Sequence, residues 1–132
     1  MTGKKILIVD DNPAERQLII KALEENGYQL MTAVDGEDAL TKIASEQPDL
    51  VILDIILPKR NGFQVCRQLK TGPNTYQIKI IMLSSQNREC DRFWGLRQGA
   101  DDYMVKPIEG ESLRATVARQ LAPYNIESTH LG

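Results

Sequence analysis

At 132 residues, 42% hydrophobic and 26% charged, with a formal net charge of −2, the chain has the size and composition of one globular domain able to bury about two thirds of its unfolded surface. That balance leaves no electrostatic footprint for nucleic acid and no polybasic membrane anchor, and no apolar run approaches the roughly 20 residues needed to span a bilayer. Met1 to Lys5 is too short to open a usual signal peptide, and Cys66 and Cys90 lack a nearby Cys or His at metal spacing, so both are expected as free thiols in a reducing cytosol.

Ile6 to Val9 is a short β-branched apolar run and predicts a buried strand. Asp10, Asp11 and Asn12 follow. Pro13 suits the first position of a helix, with Asn12 or Asp11 as N-cap, an apolar stripe of Leu18, Ile19, Ala22 and Leu23, and a stop at Asn26–Gly27. Tyr28 to Val34 predicts a weaker second strand. Asp35–Gly36 turns the chain into a second helix over 37–45. Leu50 to Pro58 is an apolar run broken by one carboxylate, Asp54; a buried strand accounts for the apolar residues but not for the charge. Asn61–Gly62 opens a third helix with Phe63, Val65, Cys66 and Leu69 inward, and Lys70 to Gln77 is a loop. Ile78 to Leu83 predicts the fourth strand, followed by Ser84 and Ser85. A fourth helix is expected over 88–98, its inward side marked unevenly by Cys90, Phe93 and Leu96–Arg97. Tyr103 to Val105 is a short fifth strand ending at Lys106–Pro107, and a fifth helix spans 110–121 with Leu113, Val117 and Leu121 in register. Residues 123–132 show no periodicity.

Five strands alternating with five helices predict a parallel sheet covered on both faces and joined by right-handed crossovers. Chemistry in such sheets collects beyond the carboxyl ends of the strands. Asp10, Asp11, Asp54, Ser84 and Lys106 all fall there. Three carboxylates on one edge repel one another, and a hard cation relieves that repulsion. Mg²⁺ fits, since it takes oxygen ligands, keeps several waters and accepts phosphate oxygens. Beside a divalent cation, Asp54 becomes a workable nucleophile toward phosphorus. Lys106 and Ser84 supply a mobile positive charge and a hydroxyl donor for phosphoryl oxygens.

Taken together, Asp10-Asp11, Asp54 followed by Pro58 and Gly62, Ser84, Tyr103 and Lys106-Pro107 resemble, in order and spacing, a response-regulator receiver domain of two-component signalling, over roughly Lys4 to Leu121. The resemblance implies a doubly wound five-stranded parallel sheet of order 2-1-3-4-5, flavodoxin-like, with five helices on two faces. It divides the chain into a receiver domain over 1–122 and a loosely ordered tail over 123–132. It implies Asp54 as the acceptor of a phosphoryl group from a histidine kinase, a phosphotransfer protein or a small phosphodonor. Asp11 and Asp54 would bind Mg²⁺ (Mn²⁺ as substitute) through side chains. Asp10 would hold a metal-bound water or contribute directly, and the Ile56 carbonyl would complete the protein ligands. Ser84 and Lys106 would contact phosphoryl oxygens, Tyr103 would be the aromatic switch, and the Lys106–Pro107 bond would be cis. The switched surface would be helix four, strand five and helix five, with Arg92, Trp94 and Tyr103 on it. With no output domain following, the readout is expected to be a partner effector protein in the cytoplasm, without nucleic acid or membrane. The activity is that of a signalling phosphoacceptor acting only on its own phosphorylation and dephosphorylation.

Some positions depart from the commonest receiver pattern. Ile56, two past the acceptor, offers no side-chain hydrogen bond to an attacking water, and with Gln86 it is expected to tune the phosphoryl lifetime. Ser85 stands where many relatives have Ala. The segment Asp91 to Asp101 is similar to receivers of pilus-driven twitching and phototaxis systems, which suggests motility or chemotaxis.

Each of these residues also has a plain structural reading. Asp10-Asp11 could be a helix cap, Asp54 a solvated strand end, Ser84 a turn former, Lys106 a surface ammonium and Tyr103 a packing residue. Trp94, the only tryptophan, suits an interface or partial burial equally. His130, the only histidine, cannot support a metal cluster. Three rival functions remain: a flavin module of similar topology, which wants a hydroxyl- and glycine-rich loop where Asp10-Asp11 stands; a Mg²⁺-dependent phosphohydrolase, which wants a second carboxylate where Ile56 stands; and a receiver that only binds partners.

Overall fold

The computed structural model describes residues 3–85 and 89–123, with the backbone alone for 89–91. The expectations for Gln86, the start of the fourth helix at Arg88, the Cys90 side chain, His130 and the tail over 124–132 lie outside the described residues.

The elements alternate as expected: β1 (Lys5–Val9), α1 (Pro13–Leu23), β2 (Gln29–Ala33), α2 (Gly36–Glu46), β3 (Leu50–Asp54), α3 (Gly62–Thr71), β4 (Lys79–Ser84), α4 (Glu89–Arg97), β5 (Asp102–Val105) and α5 (Gly110–Leu121), with a 3₁₀ turn (Glu24–Asn26) after α1. All strands are parallel, in the order β2-β1-β3-β4-β5. The order reverses between β1 and β3, so their carboxyl ends frame the crevice where such sheets do their chemistry.

The central strands are apolar throughout because both faces are covered. Successive side chains point to opposite faces. Leu7, Val9, Val51, Leu53, Ile80 and Met82 join the core beneath α2 and α3, with Ile43, Val65 and Leu69. Ile6, Ile8, Leu50, Ile52, Ile81 and Leu83 join the opposite core with Ile19 and Leu23 of α1 and Leu113 and Val117 of α5. Burying one such side chain stabilises the fold by about 1.5–3 kcal/mol. Side-chain caps fix where the helices begin: Asn12 accepts from the amides of Ala14 and Glu15, Asp35 from Asp38, and Asn61 forms a reciprocal capping box with Gln64.

Several local expectations need correction. Leu18 is 64% exposed and lies outside the inward stripe of α1, which is Ile19, Ala22 and Leu23 with Ile20. A step of about 100° per residue carries Leu18 round the flank once Ile19 and Leu23 face the sheet. Ser84 ends β4 rather than following it: it is buried and pairs in register with Val105. On α4, Phe93, Leu96 and Arg97 face outward instead of inward, with Phe93 at 55% and Trp94 at 54% exposure. Among the described side-chain positions of α4, the inward one is Gly95. A Cβ there would sit 2.9 Å from the Met82 sulfur and 3.1 Å from the Tyr103 ring, so the missing side chain lets α4 lie close on β5.

Candidate functional site at the carboxyl edge of the sheet

Asp10 follows β1 directly and is fully buried. Its amide donates to the Ala33 carbonyl (3.1 Å), its Oδ1 accepts from the Asn12 amide (2.9 Å), and its own carbonyl accepts from the Arg16 guanidinium (2.7 Å). Asp54 is the last residue of β3 and is also buried. Just beyond it the chain folds back: the Gly62 amide donates to the Ile55 carbonyl at 2.7 Å. A Cβ on Gly62 would lie 2.4 Å from the Asp54 carbonyl oxygen, so only glycine lets α3 begin this close to Asp54. The connecting loop places Lys59 at φ 70°, a left-handed conformation that disfavours lysine, and its ammonium lies 3.6 Å from Asp35.

Lys106 reaches in from the end of β5. Its Nζ donates to Asp10 Oδ2 (3.1 Å), to Asp54 Oδ2 (3.2 Å) and to Glu15. An ammonium has three protons, so these three acceptors occupy it. Carboxylate oxygens of Asp10, Glu15 and Asp54 lie within 4.8 Å of one another. Burial pushes the Asp54 carboxyl up to about 6; Lys106 opposes that shift and the charge of Asp10 adds to it. Burial likewise raises Asp10 above the usual carboxylate range. The Lys106 hydrogen bond holds Glu15 below that range. Burial works against the Lys106 ammonium, but the Glu15 hydrogen bond and the charges of Asp54 and Asp10 outweigh it and push its pKa up.

One ammonium cannot neutralise three gathered carboxylates, and the donors are all oxygen, which suits a hard divalent cation. The arrangement can therefore hold such a cation and present the Asp54 oxygens to an electrophile from the solvent side. It is the acidic pocket expected at this edge, with one difference in membership. Asp11 is exposed and is not among the gathered acids; Glu15 is. Glu15 was missed because an acid three residues past Asn12 reads as a capping-box partner. Its backbone amide does donate to Asn12, but its side chain goes to Lys106.

The remaining site residues fall in two places. The Ser84 carbonyl accepts from the Lys106 amide at 2.8 Å, which puts Ser84 beside the pocket. The Lys106–Pro107 bond is cis. The Ile56 amide approaches Asp54 Oδ1 at 3.4 Å, while its side chain is 60% exposed at the rim. Arg92 and Trp94 are exposed on α4. Tyr103 does not join them: at 4% exposure it is part of the core, with Gly95 against its ring. Gln86 lies outside the described residues. Cys66 is a buried thiol whose pKa burial pushes up to about 12.

Comparison with known proteins agrees with this geometry. The family described as response regulator receiver domain matches residues 6–118. Protein PilH of Pseudomonas aeruginosa is 42% identical over 118 residues, 89% of this chain and 98% of that protein. The alkaline phosphatase synthesis transcriptional regulatory protein PhoP of Bacillus subtilis is 45% identical over 115 residues, 87% of this chain but 47% of that protein, so the chain spans about half of it. The chemotaxis response regulator CheY4 of Vibrio cholerae superposes with a TM-score of 0.85 at 32% identity, over 91% of this chain and 100% of that one. Among the described residues, no helix is long and apolar enough to cross a membrane.

Proposed function

The chain belongs to the response regulator receiver family of two-component signalling, whose members work with a kinase partner, and from that premise we propose that Asp54 is its phosphoacceptor. The observation that carries this reading is the buried Asp54 carboxylate at the open end of β3, paired with Lys106 and close to the Asp10 carboxylate. An Asp54 oxygen attacks phosphorus. The new O–P bond forms as the donor's bond breaks (P–N of a phosphohistidine or P–O of an acyl phosphate), and the leaving group keeps the electron pair. Asp10, Asp11 and Asp54, with the Ile56 carbonyl, would hold Mg²⁺, which supplies charge neutralisation for the incoming phosphoryl group. Lys106 adds positive charge beside Asp54, and the Ser84 hydroxyl would donate to a phosphoryl oxygen.

Ser84 closes β4 against Val105 of β5, and Tyr103 lies two residues before Val105 on β5. A shift of Ser84 toward phosphate therefore works directly on the strand that carries Tyr103. Tyr103 is the aromatic switch, and α4 with Arg92 and Trp94, β5 and α5 form the surface an effector protein reads. The apolar Ile56 side chain cannot hydrogen-bond an attacking water, which favours a long-lived phosphoryl group; Gln86 is the second residue proposed to tune that lifetime. The 42% identity to PilH supports a place in motility signalling.

The test is labelling by an acyl phosphate in Mg²⁺. The unsubstituted protein takes up one phosphoryl group, and Asp54→Asn takes up none. Equal labelling of the two removes Asp54 as the acceptor.

A further inference from the structure

Lys106 has a third carboxylate partner that the phosphoacceptor chemistry does not use. Resting on the reading of Asp54 as acceptor, we propose that Glu15 is a positioning residue for Lys106, holding its ammonium at the site when cation and phosphoryl group engage Asp10 and Asp54. The geometry comes from three elements. Asn12 caps α1 through the amides of Ala14 and Glu15, which fixes the first helical turn just past Asp10. Helical side chains lean back toward the N-terminus, and that direction takes the Glu15 carboxylate to the Lys106 ammonium. Beside the pair lies a cavity of about 120 Å³ lined by Glu15, Leu18, Ile19, Lys106, Pro107 and Ile108. It gives the two side chains room to move together.

The division of labour follows from counting acceptors. In the described state Lys106 donates to Asp10, Asp54 and Glu15. Asp10 would help hold a divalent cation, and phosphorylation would put phosphorus on an oxygen of Asp54. Glu15 is the acceptor that lies outside the ligand set proposed for the cation and is not phosphorylated. Until a phosphoryl oxygen replaces them, a long, flexible lysine side chain whose bonds to Asp10 and Asp54 are given up gains rotamer freedom, and Glu15 limits that loss of order. Charge matters as well as shape, because a hydrogen bond to an ionised acceptor is roughly twice as strong as a neutral one.

The experiment is a double-mutant cycle on the rate of Asp54 labelling by an acyl phosphate in saturating Mg²⁺, with the Mg²⁺ dissociation constant measured alongside. Glu15→Gln keeps the size and removes the charge. It is expected to slow labelling by about threefold or more, with Mg²⁺ affinity unchanged, partial rescue by Glu15→Asp, and no further slowing in the Lys106→Met background. An unchanged rate overturns the proposal. So does equal slowing with and without Lys106, and so does a loss explained by weaker Mg²⁺ binding, which would make Glu15 a ligand instead. If Lys106→Met labels too slowly to time, the ¹⁵N–¹H signal of the Lys106 ammonium in the Mg²⁺- and beryllofluoride-loaded protein decides. It broadens in Glu15→Gln if the proposal holds and stays sharp if it does not. Labelling that is the same in the unsubstituted protein and in Asp54→Asn fails the acceptor reading and this inference with it; normal Asp54 labelling with an inert Glu15 fails the inference alone.

Discussion

The carboxyl edge of the sheet and the outer face of α4 rest on the same buried strands, yet they meet solvent in opposite ways. At the edge, charged groups are interlocked and mostly buried: buried Asp10 and Asp54 and half-buried Glu15 share one ammonium. On α4, large apolar groups stand in solvent. Phe93 and Trp94 meet edge to face with ring centroids 6.1 Å apart, and the Arg97 guanidinium lies 5.3 Å from the Phe93 centroid. The edge has buried charge in excess of its counter-charge, and the flank has exposed aromatic surface. The first suits a cation and an anion arriving from solution, the second a protein. Only two residues, Met104 and Val105, separate Tyr103, against which Gly95 of α4 packs, from Lys106. A change at the edge thus has a short route to the flank.

The largest test of this contrast concerns the energetic cost of the edge. Asp54 is pushed up to about 6 from 3.8. Its native state therefore holds a proton between about pH 4 and 6 that the unfolded chain has released, and stability of the metal-free protein falls as pH rises through that window. Asp10 is raised and acts in the same direction; Glu15 is lowered and opposes them. The Asp54 contribution is up to about 3 kcal/mol, reduced by whatever Lys106 loses with its partner. In chelator at pH 7.5, Asp54→Asn is expected to melt at a higher temperature than the unsubstituted protein. Adding Mg²⁺ to a hundredfold excess over its dissociation constant should stabilise the unsubstituted protein by about 2.7 kcal/mol and leave Asp54→Asn with much less. A lower melting temperature for Asp54→Asn in chelator would mean that Lys106 compensates Asp54 fully, and the edge would no longer differ from an ordinary ion-pair cluster.

The second test is at the junction of the two regions. Gly95→Ala places a methyl group 2.9 Å from the Met82 sulfur and 3.1 Å from the Tyr103 ring. The Met82 chain can give way more easily than the ring, so a destabilisation of about 1–3 kcal/mol is expected, read by urea denaturation. Asp54 labelling should survive, since the pocket is untouched. A change below about 0.5 kcal/mol would show that α4 already sits loosely enough to absorb a methyl group.

What could be read from the sequence divides along the same line. Asp54 is legible because an ionised carboxylate ends an apolar run, and Lys106 because it follows a strand on the same edge. Strand order and crossover follow from five alternating apolar segments and the receiver resemblance. Glu15 is hidden because its spacing from Asn12 is that of a capping box, and only the tertiary position of Lys106 turns its side chain elsewhere. The outward turn of Phe93 and Leu96 is hidden for a related reason. Periodicity assigns the inward face to the apolar residues, whereas here a residue without a side chain marks the contact. Leu18 shows the limit of a stripe read without its partner surface: it continues the apolar pattern of α1 but borders the cavity beside Lys106.

The smallest expected change is also the one that joins the two regions. Trp94 is 54% exposed, and its ring contact is with Phe93, itself exposed. Trp94→Ala should therefore alter stability by less than about 0.5 kcal/mol and leave the rate of Asp54 labelling unchanged, unlike any substitution in the pocket. In the unsubstituted protein Trp94 is the sole indole, so its fluorescence reports on α4 alone. Loading with Mg²⁺ and beryllofluoride should change its emission, and Asp54→Asn should abolish that change. Emission that stays constant, in protein whose melting temperature shows that it has been loaded, would disconnect the flank from the edge. The route through β5 would then carry no signal, and the exposed aromatic pair would be a binding surface indifferent to the state of Asp54.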